Sequence, residues 1–226
     1  MGDYLRGAFV AYDPGAYKSP TIERRLIPFR FNPEGLSRSI SIEVAPGSEG
    51  VEGSTAAKKS KTEQAADASS GTLKETFNVT IRLDFVDLLE ASPNLDQELG
   101  ILPELAAIED LLYAVDPASN ASSDGKEPVQ PRAARPTVLF IWGEQRVYPV
   151  RINQMTVNET LHNASLNPIR AEVEVGLEVL REGDARGNQA VADALNYTGQ
   201  KRRANAQIAK NRTSIQNTNV PNLENR

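Results

Sequence analysis

The chain of 226 residues contains no cysteine. That excludes disulfides, thiolate metal sites and cysteine nucleophiles. Its single histidine, His162, has no His, Cys or carboxylate cluster at metal spacing nearby and reads as a structural or solvent-facing side chain. No glycine-rich phosphate loop and no Gly-x-Ser-x-Gly elbow occurs. Nowhere do about 18 apolar residues run together, and Met1-Gly2-Asp3-Tyr4-Leu5-Arg6 lacks a basic segment leading into an apolar one. Arg6 also stands where a myristoylation start requires Ser or Thr. The expectation is a protein made and kept in the cytoplasm, without a membrane segment. Hydrophobic residues make up 39%, below the usual globular share, so part of the length is expected to stay unpacked. With so few nucleophile, base and ligand combinations, an enzyme is the least favoured class, and no catalytic, metal or cofactor residues are assigned.

What is present is alternation at strand period. Val138, Leu139, Phe140, Ile141 and Trp142 form a short continuous apolar run, which predicts a strand buried on both faces. Gly143, Glu144 and Gln145 supply a turn. Tyr148, Val150 and Ile152 then alternate with polar neighbours until the apolar phase shifts at Asn153, because Met155 and Val157 fall on odd positions. That shift predicts a β-bulge. Ala171, Val173, Val175, Leu177 and Val179 face one way, opposite Glu172, Glu174, Gly176 and Glu178, so the acidic side must be exposed or meet a basic neighbour.

Earlier strands are expected over Leu5 to Tyr12, over Arg25 to Phe31 with Ile27, Phe29 and Phe31 on one face, and around Ile40, Ile42 and Val44. A long strand is expected over Leu73 to Phe85. A helix is predicted from Pro103 to Val115, with Leu105, Ile108, Leu112 and Val115 at helical spacing. Residues 47–71 and 117–136 are rich in small and polar residues and read as flexible insertions.

Up to Gly183 the chain has 18 Lys and Arg against 27 Asp and Glu; after it, 7 against 3. An acidic body, residues 1–183, therefore carries a basic tail, residues 184–226, expected to be largely extended or disordered apart from a short helix over Ala190 to Tyr197. Lys201, Arg202, Arg203, Lys210 and Arg212 suit an acidic protein surface better than nucleic acid, since base stacking needs aromatic rings and only Tyr197 interleaves. A soluble binding module holding nucleic acid on that tail is the competing class.

Several stretches, in order, resemble the tube protein family of contractile injection systems, phage-tail-like devices related to type VI secretion. They are Ile27-Pro28-Phe29-Arg30-Phe31-Asn32-Pro33, then Glu75 to Leu83 leading into Asp84-Phe85-Val86-Asp87-Leu88-Leu89. Gly100-Ile101-Leu102-Pro103-Glu104-Leu105, Phe140-Ile141-Trp142-Gly143 and Asn167-Pro168-Ile169-Arg170-Ala171 follow. The resemblance implies a mainly β fold, two sheets packed into a barrel-like sandwich flanked by one helix. It also implies assembly into a homohexameric ring, as inner tube or as an adaptor to spike and baseplate proteins and possibly the sheath. A tube terminator or cap adaptor is the alternative within that class.

On this reading Phe31, Asn32 and Pro33 fix the exit of a core strand, and Trp142 with Gly143 sets the central turn. Pro168 and Arg170 orient the last strand, and Glu172, Glu174 and Glu178 line a lumen or a ring contact. The five tail cations contact a neighbouring subunit. Two departures stand out. No appended LysM domain is expected after Leu180, so peptidoglycan binding is not inherited. Leu166-Asn167 also occupy a place where relatives often carry glycine.

Overall fold

The computed structural model describes residues 6–13, 17, 24–29, 32–33, 35–43, 71–91, 94–113, 135–185 and 188–212. Among these residues seven strands form one antiparallel sheet: β1 (Ala8–Tyr12), β2 (Arg24–Pro28), β3 (Ser37–Glu43), β4 (Thr72–Asp84), β5 (Thr137–Ile141), β6 (Val147–His162) and β7 (Pro168–Val179). Their order across the sheet is β2-β1-β5-β6-β7-β4-β3. Among the described residues three helices accompany them, α1 (Phe85–Ala91), α2 (Leu102–Glu109) and α3 (Gln189–Arg212), with a 3-10 turn over Glu182–Ala185. Phe31, Val44 and Val115, the two insertions except Gly71, Arg135 and Pro136, and the tail after Arg212 lie outside the described residues.

The mainly β class holds, but a single sheet replaces the two packed sheets implied by the resemblance. The reason lies in β6. Its first residues pair with β5, Val138↔Val150 to Ile141↔Val147, while β7 pairs from Val150 onward to His162. Pairing steps from Ile152↔Leu177 to Gln154↔Gly176, leaving Asn153 as the extra residue of a bulge, where the apolar phase shifts. Stagger and bulges together curl the sheet on itself. Phe77 on β4 and Phe140 on β5 are three strands apart, roughly 14 Å in a flat sheet, yet their rings lie 5.6 Å apart. Phe9, Phe29, Phe77, Phe140 and Tyr148 thus form one aromatic centre.

The helices depart most from the sequence reading. Phe85 does not end β4 but opens α1, whose Val86 N–H is accepted by Asp84 Oδ1 at 3.1 Å. The predicted Pro103 to Val115 helix stops regular winding at Glu109, and Leu111 and Leu112 bond three residues back, to Ile108 and Glu109. This tighter turn rotates Leu111 rather than Leu112 into the core, 3% against partial exposure. Where the tail was expected to be largely extended apart from a short helix over Ala190 to Tyr197, its described part forms the 24-residue helix α3. Its contact face is made of small residues, Ala190, Val191, Ala194, Thr198 and Gly199. Such a face carries little hydropathy and so no visible apolar stripe, but it lets the helix lie close against the sheet. Ala194 packs on Val10 and Leu139. The apolar run at β5 is buried on both sides, with Phe140 facing the aromatic core and Leu139 beneath α3.

Candidate assembly interfaces

At one end of the sheet two residues named from sequence meet at a third that was not. Asn32 Oδ1 accepts the Gly7 N–H at 2.8 Å, and the Gly7 carbonyl accepts the Phe29 N–H at 2.8 Å. A side chain at Gly7 would lie 2.7 Å from Phe29 and 2.9 Å from Trp142. Asn32 and Trp142 therefore clamp β1 to the exit of β2, and only glycine fits between. Trp142 is half-buried beside Phe140, its N–H given to the Arg146 carbonyl across a turn in which Gly143 has φ +69°. Pro33 is half-buried nearby in sequence.

Pro168 and Arg170 lie at the other end of β6. The Pro168 carbonyl accepts the Ile101 N–H at 2.9 Å, and a Cβ on Gly100 would sit 2.2 Å from that oxygen. Gly100 also has φ +61°, so α2 begins where it does because glycine lets the backbones touch. Arg170 grips Asp84 through Nε at 2.7 Å and Nη2 at 2.6 Å, tying β7 to the start of α1. Between them, Asn163 accepts the Ser165 and Asn167 N–H groups and donates to the Glu98 carbonyl. In that turn Leu166 has φ +63° and is 80% exposed. The turn thus keeps the left-handed conformation that glycine favours while carrying leucine, at roughly 1 kcal/mol or more of strain.

Glu172, Glu174 and Glu178 lie on the outer face, as the alternation requires. Glu172 pairs with Arg82 at 3.5 Å, and Glu178 stands opposite Arg151 in register. Glu174 is exposed between Thr80 and Thr156. Lys201 lies 5.4 Å over the Tyr197 ring. Arg202 and Arg203 border a cleft of about 930 Å³ together with Glu75, Arg151, Glu178 and Arg181. Cations and carboxylates alternate there, so the cleft has no single sign to select a small anion or cation. Lys210 and Arg212 are exposed on the far turns of α3. His162 meets Glu159 at 3.0 Å on the surface.

One pair was not read from the sequence. Glu75, inward on β4, is 6% exposed and accepts Arg38 Nε at 2.7 Å. Arg38 reaches it from β3 across the Phe77 and Tyr148 rings, 5.8 Å from each. The hydrogen bond to Glu75 holds the guanidinium above its ordinary pKa, and burial followed by the Glu75 charge pushes the Tyr148 phenol up. The alternation of Glu75 with Phe77 and Val79 on one face is the sequence signal that would have placed this carboxylate inside.

β2 and β3 are the two edges of the sheet. Every residue of β3 is exposed. Ile40 and Ile42 share the inward face with Glu75 and Leu73, their register partners, but the curl does not cover them; they are 51% and 68% exposed, and Leu73 is 47%. The β3–β4 end therefore overhangs the core with an apolar face and a free backbone edge. Among the described residues there is no cluster of His, Asp and Glu able to hold a metal, and no helix is long and apolar enough to cross a membrane.

No curated protein matches the chain. The model of a family described as contractile injection system tube protein matches residues 8–187, a span that takes in every strand of the sheet together with α1 and α2. The chain therefore belongs to the contractile injection system tube protein family.

Proposed function

We propose that this chain is a structural subunit of a phage-tail-like particle, a homohexameric ring of the inner tube or of an adaptor between tube and spike or baseplate. It acts by assembly and not by catalysis. The observation that carries this reading is the overhanging β3 edge, with Ile40, Ile42 and Leu73 bare beside unpaired strand backbone. A free strand edge is a template for another chain, and an apolar face beside it adds area to the contact. The opposite edge, β2, has alternate residues Leu26 and Pro28 exposed, so β3 of one copy and β2 of the next form a heterologous pair. A repeated contact of that kind closes into a ring when the rotation allows. The Arg38–Glu75 pair supports the same reading, because it locks β3 in one register and so fixes the angle at which the edge is offered.

The test is the mass of the purified protein in solution with negative-stain images of the same sample, for the natural chain and for I40K/I42K and S41P variants. Rings of about six copies that fall to folded monomers in the variants support the proposal. Rings that persist in both variants, or a natural chain that stays monomeric with tube and spike partners supplied, refute it.

A further inference from the structure

The second half of α3 is exposed along its length. Its first half is docked, with Tyr197 donating to the Glu144 carbonyl and Thr198 bonded to Val147. From Arg202 to Arg212 every residue is exposed. These 11 residues extend about 17 Å, and a free helix of that length is only marginally stable in water. From Tyr197 to Arg212 the chain has five cations, Lys201, Arg202, Arg203, Lys210 and Arg212, and no carboxylate. Among the described residues none of the five makes an ion pair. Ile208, 48% exposed, adds an apolar position.

The complement is on the same molecule, at the far end of β6. From Asp84 to Tyr113 the chain has eight carboxylates and no lysine or arginine. Asp84 is taken by Arg170, and Asp110 by Arg25; Glu90, Asp96 and Glu98 meet no cation among the described residues. Apolar side chains stand among them: Leu99 is 43% exposed, Val86 59%, and Leu166, held out on its strained turn, 80%. The Glu98 carbonyl is tied to Asn163 and Asn167, which keeps this acidic segment beside that turn. The basic helix leaves the sheet at the Val147 end of β6, whereas the acidic, leucine-studded surface sits at the His162 end, so one copy cannot easily satisfy itself. Two copies placed head to tail can.

We propose that the projecting half of α3 docks on the acidic surface around Glu90, Asp96, Glu98 and Leu99 of a second copy of this chain, with Ile208 packing among its exposed leucines. The contact is heterologous, like the edge pairing, but uses neither β2 nor β3. The opposite charges of the two surfaces draw them together. The inference rests on the reading that copies of the chain associate, and deepens it by naming a second surface for doing so.

Because the chain has no cysteine, a mixed-label crosslink tests it directly. Full-length I208C is mixed with full-length L99C, or with Q145C as a control near the Val147 end, and each mixture is oxidised mildly at low and at 1 M salt. The mass of the same samples is recorded in parallel. Expected is a disulfide-linked pair for I208C with L99C, weak or absent with Q145C, and reduced at least about tenfold by 1 M salt or by adding K210E/R212E to the I208C chain. Adding E90K/E98K to the L99C chain restores the link to that reversed helix. Equal yields with L99C and Q145C, or a yield indifferent to both salt and charge reversal, overturn the proposal. So does the helix capturing DNA with a steep salt slope in place of its own copy. Rings that form without the crosslink overturn this contact alone; the crosslink without rings overturns the edge-paired ring alone.

Discussion

Thr198 offers a sharp perturbation. In β6, pairing with β7 begins only at Val150, so the stretch before it has a bare side. There the Thr198 hydroxyl accepts the Val147 N–H at 3.0 Å and donates to the Val147 carbonyl at 2.6 Å. A side chain on a helix thus does for one residue what a neighbouring strand would have done. Thr198 is 7% exposed. Thr198→Val keeps the shape and removes both bonds, leaving two backbone groups without partners. Each such orphan is worth about 1–3 kcal/mol when buried. Because water reaches the site in part, the lower end applies, a total of about 2 kcal/mol. That lowers Tm by about 4–8 °C for a domain of this size and, if α3 detaches locally, speeds hydrogen exchange at the Val147 amide about thirtyfold. Thr198→Ser keeps the hydroxyl and is expected to stay within about 1 kcal/mol of the natural chain. Denaturant melts with amide exchange on the three proteins decide the matter. A valine variant as stable as the natural chain, or a serine variant as damaged as valine, refutes the reasoning.

Gly100→Ala forces a left-handed alanine whose Cβ falls on the Pro168 carbonyl, disrupting the Ile101 bond; a loss of about 2–4 kcal/mol in denaturant melts is expected. Arg38→Met strands the buried Glu75 carboxylate and destabilises by about 2–3 kcal/mol, Arg38 being partly solvated. The R38M/E75L pair returns most of that loss, so a double-mutant cycle reads a large coupling. The Tyr17 hydroxyl donates to Asp193 on α3 at 2.9 Å, and burial, then that bond, raise its pKa from 10.0 to about 12. Its folded pKa lies above the unfolded value, so its contribution is complete below pH 10 and disappears as pH rises to about 12. Absorbance titration should place one phenol there in the natural chain and lower in D193N.

Much of the sheet was legible because a buried strand writes its period into the sequence. Phe77 to Leu83 and Ala171 to Val179 alternate without a fault, and the Asn153 bulge shows as a change of phase. The curl was not legible, since a contact such as Phe77 with Phe140 depends on strand stagger rather than on either local pattern. Of α3 only Ala190 to Tyr197 was expected as helix; beyond it the residues are polar and exposed and leave no apolar stripe to mark the winding. Pro168 and Trp142 were singled out, yet the glycines they press against, Gly100 and Gly7, were not; a glycine's importance there comes from the atom that would collide with it. Leu166 was a further case, a large residue in a left-handed turn whose geometry the sequence left open.

The cover that α3 lays over β5 also imposes a timetable. Val10 and Leu139 have their outer face sealed by Ala194, which leaves the ribosome 55 residues after Leu139. At common translation speeds of about 5–20 residues per second, that interval is about 3–11 s. Late in that interval, once Val179 has emerged, a nascent chain holds all seven described strands of the sheet with one side still greasy. Two chains growing side by side on one messenger then have β5 open to one another, and the arrival of α3 covers it.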